Sequence, residues 1–183
     1  MPITILDSKS ALVLIDLQKG IVAIPPPEVA TEVISKSAQL AAAFRSHNEP
    51  VVLVNVAAAA PGRTDRPRAT HAFPADWTDL VPELDQQPSD ILITKRAYGA
   101  FLGTTLDQQL RDLGVTQIVL AGVATSIGVE STARSAYDLG YNVVFLTDAM
   151  ADLDPVNHAH SIEKIFPRLG ESGSTADLLA LLN

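Results

Sequence analysis

Short unbroken apolar runs alternate along the chain with stretches whose apolar positions recur every three or four residues, a pattern that predicts strands separated by helices. Ala11–Ile15 reads Ala-Leu-Val-Leu-Ile, as expected of a strand buried on both faces of a parallel sheet, and Asp16 follows at its C-terminal end. After Pro25–Pro27 a helical stretch covers about Glu28–His47 and leads to the β-branched run Val51–Val56. Further strands are expected at Ile91–Thr94, Gln117–Ala121 and Asn142–Thr147, with a short edge strand at Glu171–Gly173. Helices are expected at Thr104–Leu113, stopped by Gly114, and at Ser126–Leu139, stopped by Gly140. Two more are expected at Pro155–Phe166 and Thr175–Leu182.

Strands alternating with helices favour right-handed crossovers, so the expected fold class is α/β. The architecture is a three-layer α/β/α sandwich around a doubly wound, mostly parallel sheet of about six strands, in a single domain over residues 1–183. Ligands of such sheets bind beyond the C-terminal ends of the strands. Residues 57–87 interrupt the alternation and are rich in Ala, Pro, Arg and Thr. A connection that long inside a compact domain is expected to be a functional loop or lid over the strand ends.

Composition narrows the function. Hydrophobic residues make up 47% and charged residues 19%, a balance that suits a compact globule and excludes a disordered tail or coiled coil. The net charge is −8 and the 13 basic residues are scattered, so no electrostatic footprint for nucleic acid exists. No apolar run reaches the ~18 residues of a membrane span and the first ten residues lack the pattern of a signal peptide, so a cytoplasmic location without membrane partners is expected. Cysteine is absent, which removes disulfides, thiolate metal sites and every cysteine-nucleophile mechanism.

Three strand ends deliver special residues to the same edge of the expected sheet: Asp16, Lys95 and the segment Gly122-Val-Ala-Thr-Ser-Ile-Gly128. A carboxylate and an ammonium meeting in a pocket shift one another's titration and can exchange protons with a substrate. The same two groups can also form a structural ion pair, and the residues alone leave both readings open. Burial raises a carboxyl pKa while a close ammonium lowers it, so the state of Asp16 depends on which effect is larger.

Three separated motifs carry a resemblance to the isochorismatase-like (cysteine hydrolase) superfamily. They are Ala11-Leu-Val-Leu-Ile-Asp16-Leu-Gln18, Lys95-Arg-Ala-Tyr98-Gly-Ala-Phe101 and Gly122-Val-Ala-Thr-Ser-Ile-Gly128-Val-Glu-Ser-Thr132-Ala-Arg134, continued by Gly140 through Asp148-Ala149. The resemblance implies a hydrolase in which Asp16 is the acid/base and Lys95 stabilises negative charge. Where that superfamily places a nucleophilic cysteine this chain has Gly128, so a covalent acyl-enzyme at that position is impossible. True isochorismatases are similar in carrying glycine there; they hydrolyse a vinyl ether, with the aspartate as proton donor. The chain departs from that branch at Ala124 and Ser126, where an aromatic residue and a histidine are usual. It departs again at Ala97, where an arginine is common and Arg96 stands one residue early.

The resulting expectation is a hydrolase acting on a small polar or carboxylated metabolite without a cysteine nucleophile, with vinyl-ether hydrolysis of isochorismate as a specific form. The alternatives are a degenerate binding or scaffolding protein, or an amidase-like enzyme with another nucleophile. The expected catalytic positions are Asp16, Lys95 and the vacant position Gly128. Gln18 is expected to reach the pocket, with Trp77, Tyr98 and Phe101 as walls; Phe73 is a further aromatic candidate. Val123, Ala124 and Ile127 of the third motif complete the substrate-binding set, and the resemblance implies a cis peptide at Val123–Ala124. Ser126 and Thr125 are hydroxyls near the vacancy, read either as nucleophiles or as helix caps, with no evident histidine base. Nicotinamidases of the superfamily hold a metal through an Asp-x-His motif, where this chain reads Asn55-Val-Ala-Ala. His47, His71, His158 and His160 remain, with His71 in the long loop the one to check, and neither metal nor cofactor is expected. The resemblance also implies a homodimer or higher homo-oligomer. A dinucleotide-binding domain is excluded because no Gly-x-Gly-x-x-Gly follows the first strand.

Overall fold

The computed structural model describes residues 3–65 and 72–182. Six strands, β1 (Ser10–Ile15), β2 (Val51–Val56), β3 (Ile91–Lys95), β4 (Gln117–Val123), β5 (Asn142–Ala151) and β6 (Glu171–Gly173), form one sheet in the order β3-β2-β1-β4-β5-β6. Every strand pair is parallel. The helices are α1 (Lys19–Val22), α2 (Pro27–Ser46), α3 (Leu106–Asp112), α4 (Glu130–Asp138), α5 (Pro155–His160) and α6 (Thr175–Leu182). The chain order turns back on itself between the neighbours β1 and β4. Their C-terminal ends therefore flank the crevice where sheets of this kind bind ligands.

Alternation along the strands supplies two cores. Leu12, Leu14, Val51 and Leu53 meet Val33, Leu40 and Phe44 of α2 on one face of the sheet. On the other, Val13, Ile15, Val52 and Val54 meet Leu106 and Leu110 of α3 and Ala133 of α4. Each fully buried aliphatic side chain in these layers contributes about 1.5–3 kcal/mol. Helix α2 forms because Pro27 suits a first turn and its buried positions 30, 33, 37, 40, 41 and 44 recur at helical spacing. It stops where Asn48 takes a left-handed conformation, φ 59°.

Several elements depart from the expected boundaries. The helix expected at Ser126–Leu139 is two pieces, a wide π turn over Thr125–Val129 followed by α4. The stretch Pro155–Phe166 is α5, a π turn over Ser161–Ile165 and a 3₁₀ turn over Phe166–Arg168, where Pro167 has no N–H to continue the ladder. Helix α3 starts at Leu106 because the Thr104 hydroxyl takes the Leu106 N–H at 3.2 Å. Strand β5 runs past Thr147 to Ala151 across a register shift, pairing Phe145 with Leu120 but Met150 with Gly122. Asp148 in that bulge accepts the Thr175 N–H at 2.8 Å and pairs with Lys36 at 3.1 Å, tying α6 and α2 to the sheet. Among the described residues no helix is long and apolar enough to cross a membrane.

Candidate active site

The site is built on two backbone irregularities at the crevice. Asp16 leaves β1 in the left-handed region (φ 52°), which Asp tolerates better than most residues, while its N–H still donates to Val54 O at 2.9 Å. Opposite, Gly122 has φ 119°, and a Cβ there would lie 2.1 Å from Ile15 O. Only glycine lets the end of β4 approach β1 this closely.

The Asp16 carboxylate reaches Lys95, whose Nζ donates to Oδ2 at 2.7 Å and, more weakly, to Ala97 O at 3.3 Å. Both side chains are sealed from bulk solvent, Asp16 at 5% and Lys95 at 2% exposure. The second carboxylate oxygen, Oδ1, is buried and accepts no hydrogen bond from the described protein groups. Burial pushes the Asp16 carboxyl up to about 6, outweighing the opposing attraction and hydrogen bond of Lys95. Desolvation thus wins the contest that the sequence left open.

A cavity of about 280 Å³ opens over this pair. Gly128 sits in its wall, and a Cβ built there would lie 3.2 Å from Asp16 Oδ2 and 2.9 Å from Ile15 Cγ2. The position that carries no side chain is therefore immediately beside the carboxylate. The approach to it is shaped by the cis peptide Val123–Ala124 and by the π turn, in which the Val129 N–H bonds Ala124 O at 3.2 Å. Apart from Asp16 and Lys95, the described lining residues carry no charged side chain: Ile21, Ile24, Val56, Trp77, Ile127 and Leu153 dominate.

The long loop contributes a fixed wall. Trp77 stacks on Phe73 with ring centroids 4.4 Å apart, and both line the cavity. A Cβ at Gly20 would fall 2.0 Å from Trp77 Cδ1, so glycine at that position is what admits the indole against α1. Gln18 holds the same loop: its side-chain amide donates to Val56 O at 3.1 Å and Trp77 O at 3.0 Å, and its Oε1 accepts the Val56 N–H at 2.7 Å. An antiparallel bridge between Gln18 and Leu80 and a bond from Asn55 Nδ2 to Thr78 O at 2.9 Å extend the attachment. The described part of this loop near Trp77 is the functional loop of the two expected forms, stapled down as a wall of the cavity at the strand ends.

The structure brings Asp16, Lys95, Gly128, Trp77, Tyr98, Val123, Ala124 and Ile127 together around one cavity. Two expected members lie elsewhere. Phe101 is packed in the core and stacks on Tyr141 at 5.8 Å, because it faces α3 and the sheet. Gln18 is fully buried and spends its amide on backbone groups, which makes it a brace of the wall. Arg96 is exposed and does not line the cavity, so it does not stand in for an arginine at position 97. Sequence reasoning missed Ile21 in the short helix α1, Ile24 just after it and Leu153 just past β5, places with no pattern of their own.

A histidine partner for Thr125 was also missed: His158 Nδ1 lies 2.8 Å from its hydroxyl. Thr125 is fully buried, also bonds Ala151 O at 3.1 Å and is not among the cavity-lining residues, so the contact ties α5 to the π turn. Ser126 likewise anchors the turn, its N–H donating to Asp152 Oδ2 at 2.6 Å. His47 bonds back to Ala43 O at 2.9 Å, and His71 lies outside the described residues. Among the described residues no cluster of His, Asp or Glu is arranged to hold a metal ion.

Comparison with known proteins places this geometry in a family. The model of the isochorismatase domain matches residues 10–177. The chain is 46% identical over 178 residues to an uncharacterized isochorismatase family protein, YwoC of Bacillus subtilis, covering 93% of each chain. An isochorismatase family protein from Burkholderia thailandensis superposes with a TM-score of 0.92 at 43% identity, covering 97% of both chains. The N-carbamoylsarcosine amidase of Thermoplasma acidophilum superposes with a TM-score of 0.75 at 27% identity, over 91% of this chain and 96% of that one. With the match running from the first strand into the last helix, this chain belongs to the isochorismatase family and is a hydrolase.

Proposed function

We propose that the chain hydrolyses a small metabolite by general acid catalysis from Asp16, without a covalent enzyme intermediate, and that the bond cleaved is an enol ether. The observation that carries this reading is the half-satisfied carboxyl of Asp16, pushed up to about 6 by burial, beside a residue that has no side chain. A group titrating near neutrality both holds and releases a proton at working pH, as general acid–base catalysis requires.

In the proposed reaction the Asp16 carboxyl gives its proton to the terminal vinyl carbon, whose π pair becomes the new C–H bond. The resulting oxocarbenium centre is captured by water, and the water's proton returns to Asp16. The hemiketal then collapses: Asp16 gives the regained proton to the leaving oxygen as that C–O bond breaks and takes the hemiketal hydroxyl proton as the C=O bond forms, releasing an alcohol and a ketone. The Lys95 ammonium, 2.7 Å from Oδ2, stabilises the carboxylate while its proton is on the substrate. Glycine at position 128 lines the cavity next to the carboxylate and puts no side-chain atom or nucleophile there.

Isochorismate is the first substrate to assay, by following pyruvate and 2,3-dihydroxy-2,3-dihydrobenzoate. In D₂O the pyruvate methyl group formed by the enzyme carries deuterium if the vinyl carbon is protonated. Asp16→Asn is expected to lower turnover by about 10²–10⁴-fold; unchanged turnover contradicts the role given to Asp16. A protein that only binds ligands gives no product with either chain.

A further inference from the structure

The spacing within the Asp16–Lys95 pair fits a second kind of substrate. Asp16 Oδ2 and Lys95 Nζ lie 2.7 Å apart, so a proton donor and a fixed cation stand side by side at the cavity. The terminal carbon and the oxygen of an enol are separated by a single atom, a spacing of the same order. The carboxyl can therefore meet the carbon while the ammonium meets the oxygen. Among the described groups Lys95 donates to Asp16 and to Ala97 O, and an ammonium has a third N–H to give. A carboxyl at carbon with a donor at oxygen is the arrangement that moves protons beside a carbonyl, because the donor stabilises the charge that develops on oxygen.

We infer that the same site is a keto–enol tautomerase for small ketones with a flat body, in which Asp16 moves the proton on and off the carbon next to the carbonyl while Lys95 holds the carbonyl oxygen. The inference rests on the reading of Asp16 as general acid. In the forward step the Asp16 carboxyl gives its proton to the terminal carbon of the enol, whose π pair becomes the new C–H bond. The enol O–H pair becomes the second bond of the carbonyl, and its proton passes to the Asp16 carboxylate. Atoms and electrons balance without water, oxidant or reductant, and the acid is restored. Run backwards, the carboxyl gives its proton to the carbonyl oxygen and takes one from the carbon, so the ketone exchanges that hydrogen with solvent once the Asp16 proton does.

The surroundings of the pair suit this chemistry. Both directions need one group that holds and releases a proton near neutrality, and burial pushes the Asp16 carboxyl up to about 6. Its Oδ1 is buried without a partner among the described protein groups, so it can carry the proton while Oδ2 keeps its bond to Lys95. A nucleophilic side chain beside the carbonyl would divert the ketone into a covalent adduct. Gly128, whose Cβ would lie 3.2 Å from Oδ2, offers none. An enol and its enolate are planar, and Trp77 gives such a body a flat wall, backed by the Phe73 ring 4.4 Å away and tied to Gln18. A volume of about 280 Å³ keeps the body small.

The test uses the enol of phenylpyruvate with the whole protein near neutral pH. The enol absorbs in the ultraviolet where the ketone does not, so ketonisation is followed as a loss of absorbance. In D₂O the ketone carries deuterium at the carbon beside the ring, and spontaneous ketonisation delivers it equally to both faces. Immediate reduction by a stereospecific dehydrogenase gives phenyllactate, in which the two hydrogens on that carbon have separate ¹H NMR signals. The native chain is expected to ketonise about 10²–10⁴-fold faster than Asp16→Asn and to place deuterium on one face. Lys95→Met is expected to be slower than the native chain by about 10²–10³-fold. Equal rates for the native chain and either variant, or deuterium shared equally between the faces, overturns the inference. The stereochemical reading uses the native chain alone and so decides whether or not a variant folds. Ketonisation by a chain that hydrolyses no enol ether upholds the inference and removes the proposed hydrolysis, and Asp16-dependent hydrolysis without ketonisation does the opposite.

Discussion

Among the described residues, one buried and one partly buried acid–base pair lie at opposite ends of the strands of the same sheet, and they are finished differently. Beyond the C-terminal ends of the strands, Asp16 meets Lys95 through one oxygen at 2.7 Å and leaves the other without a partner among the described protein groups. Near the N-terminal end of β3, Asp90 meets Arg45 at 3.0 and 2.7 Å through both oxygens and also takes the Gln87 N–H at 2.8 Å. The arginine fork and backbone donor saturate Asp90, which is what a structural pair needs to offset desolvation. Lysine is a point charge that cannot saturate both oxygens, so Asp16 stays half-solvated by protein and its proton stays negotiable. A wider hollow of about 520 Å³ lies beside Arg45 and Asp90, so size does not mark the chemistry; the unsatisfied carboxyl does.

The contrast can be broken most forcefully by removing each acid. Asp16→Asn should lose turnover by about 10²–10⁴-fold while the protein still folds. Asp90→Ala should do the reverse, costing about 1–3 kcal/mol in urea unfolding because the partly buried Arg45 loses its partner and the Gln87 N–H its acceptor. Turnover per folded Asp90→Ala molecule should be unchanged, and a matching loss of activity would erase the distinction between the pairs.

A smaller effect separates them by pH. The Asp16 carboxyl is raised on folding from 3.8 to about 6, so the native state binds more protons than the unfolded chain between those values. Its contribution to stability is fully present below pH 3.8 and is lost as pH rises through about 6, amounting to about 3 kcal/mol. Unfolding measured across that window should show the decline in the native chain and lose it in Asp16→Asn. Lys95→Met should move the Asp16 titration higher still, since the ammonium is what holds it down.

The smallest expected change is steric. Gly128→Ala puts a methyl 2.9 Å from Cγ2 of Ile15, a β-branched residue fixed in β1, at a cost of about 1–3 kcal/mol. Stability equal to the native chain would mean that the wall yields more easily than the strand packing suggests.

The centre of the sheet was legible in the sequence because β1, β2 and β4 are largely continuous apolar runs, and the meeting of Asp16, Lys95 and Gly128 followed from three motifs that all stand at strand ends. Side-chain direction was not legible. Phe101 and Tyr98 share one motif, yet the first packs on Tyr141 and the second stands at the cavity mouth, a difference set by the turn between them. Gln18 was placed near the site but its role as a brace depends on Val56 and Trp77, which are distant in sequence. The π turn at Thr125–Val129 was equally hidden, because its residues carry the apolar spacing of an ordinary helix.

The most direct test of the account is a ¹³C-carboxyl NMR titration of the ligand-free protein, with the Asp16 signal assigned by its loss in Asp16→Asn. The account predicts a midpoint at about 6. A midpoint at the ordinary aspartate value of 3.8 would show that Lys95 outweighs burial, and that Asp16 holds no proton to give.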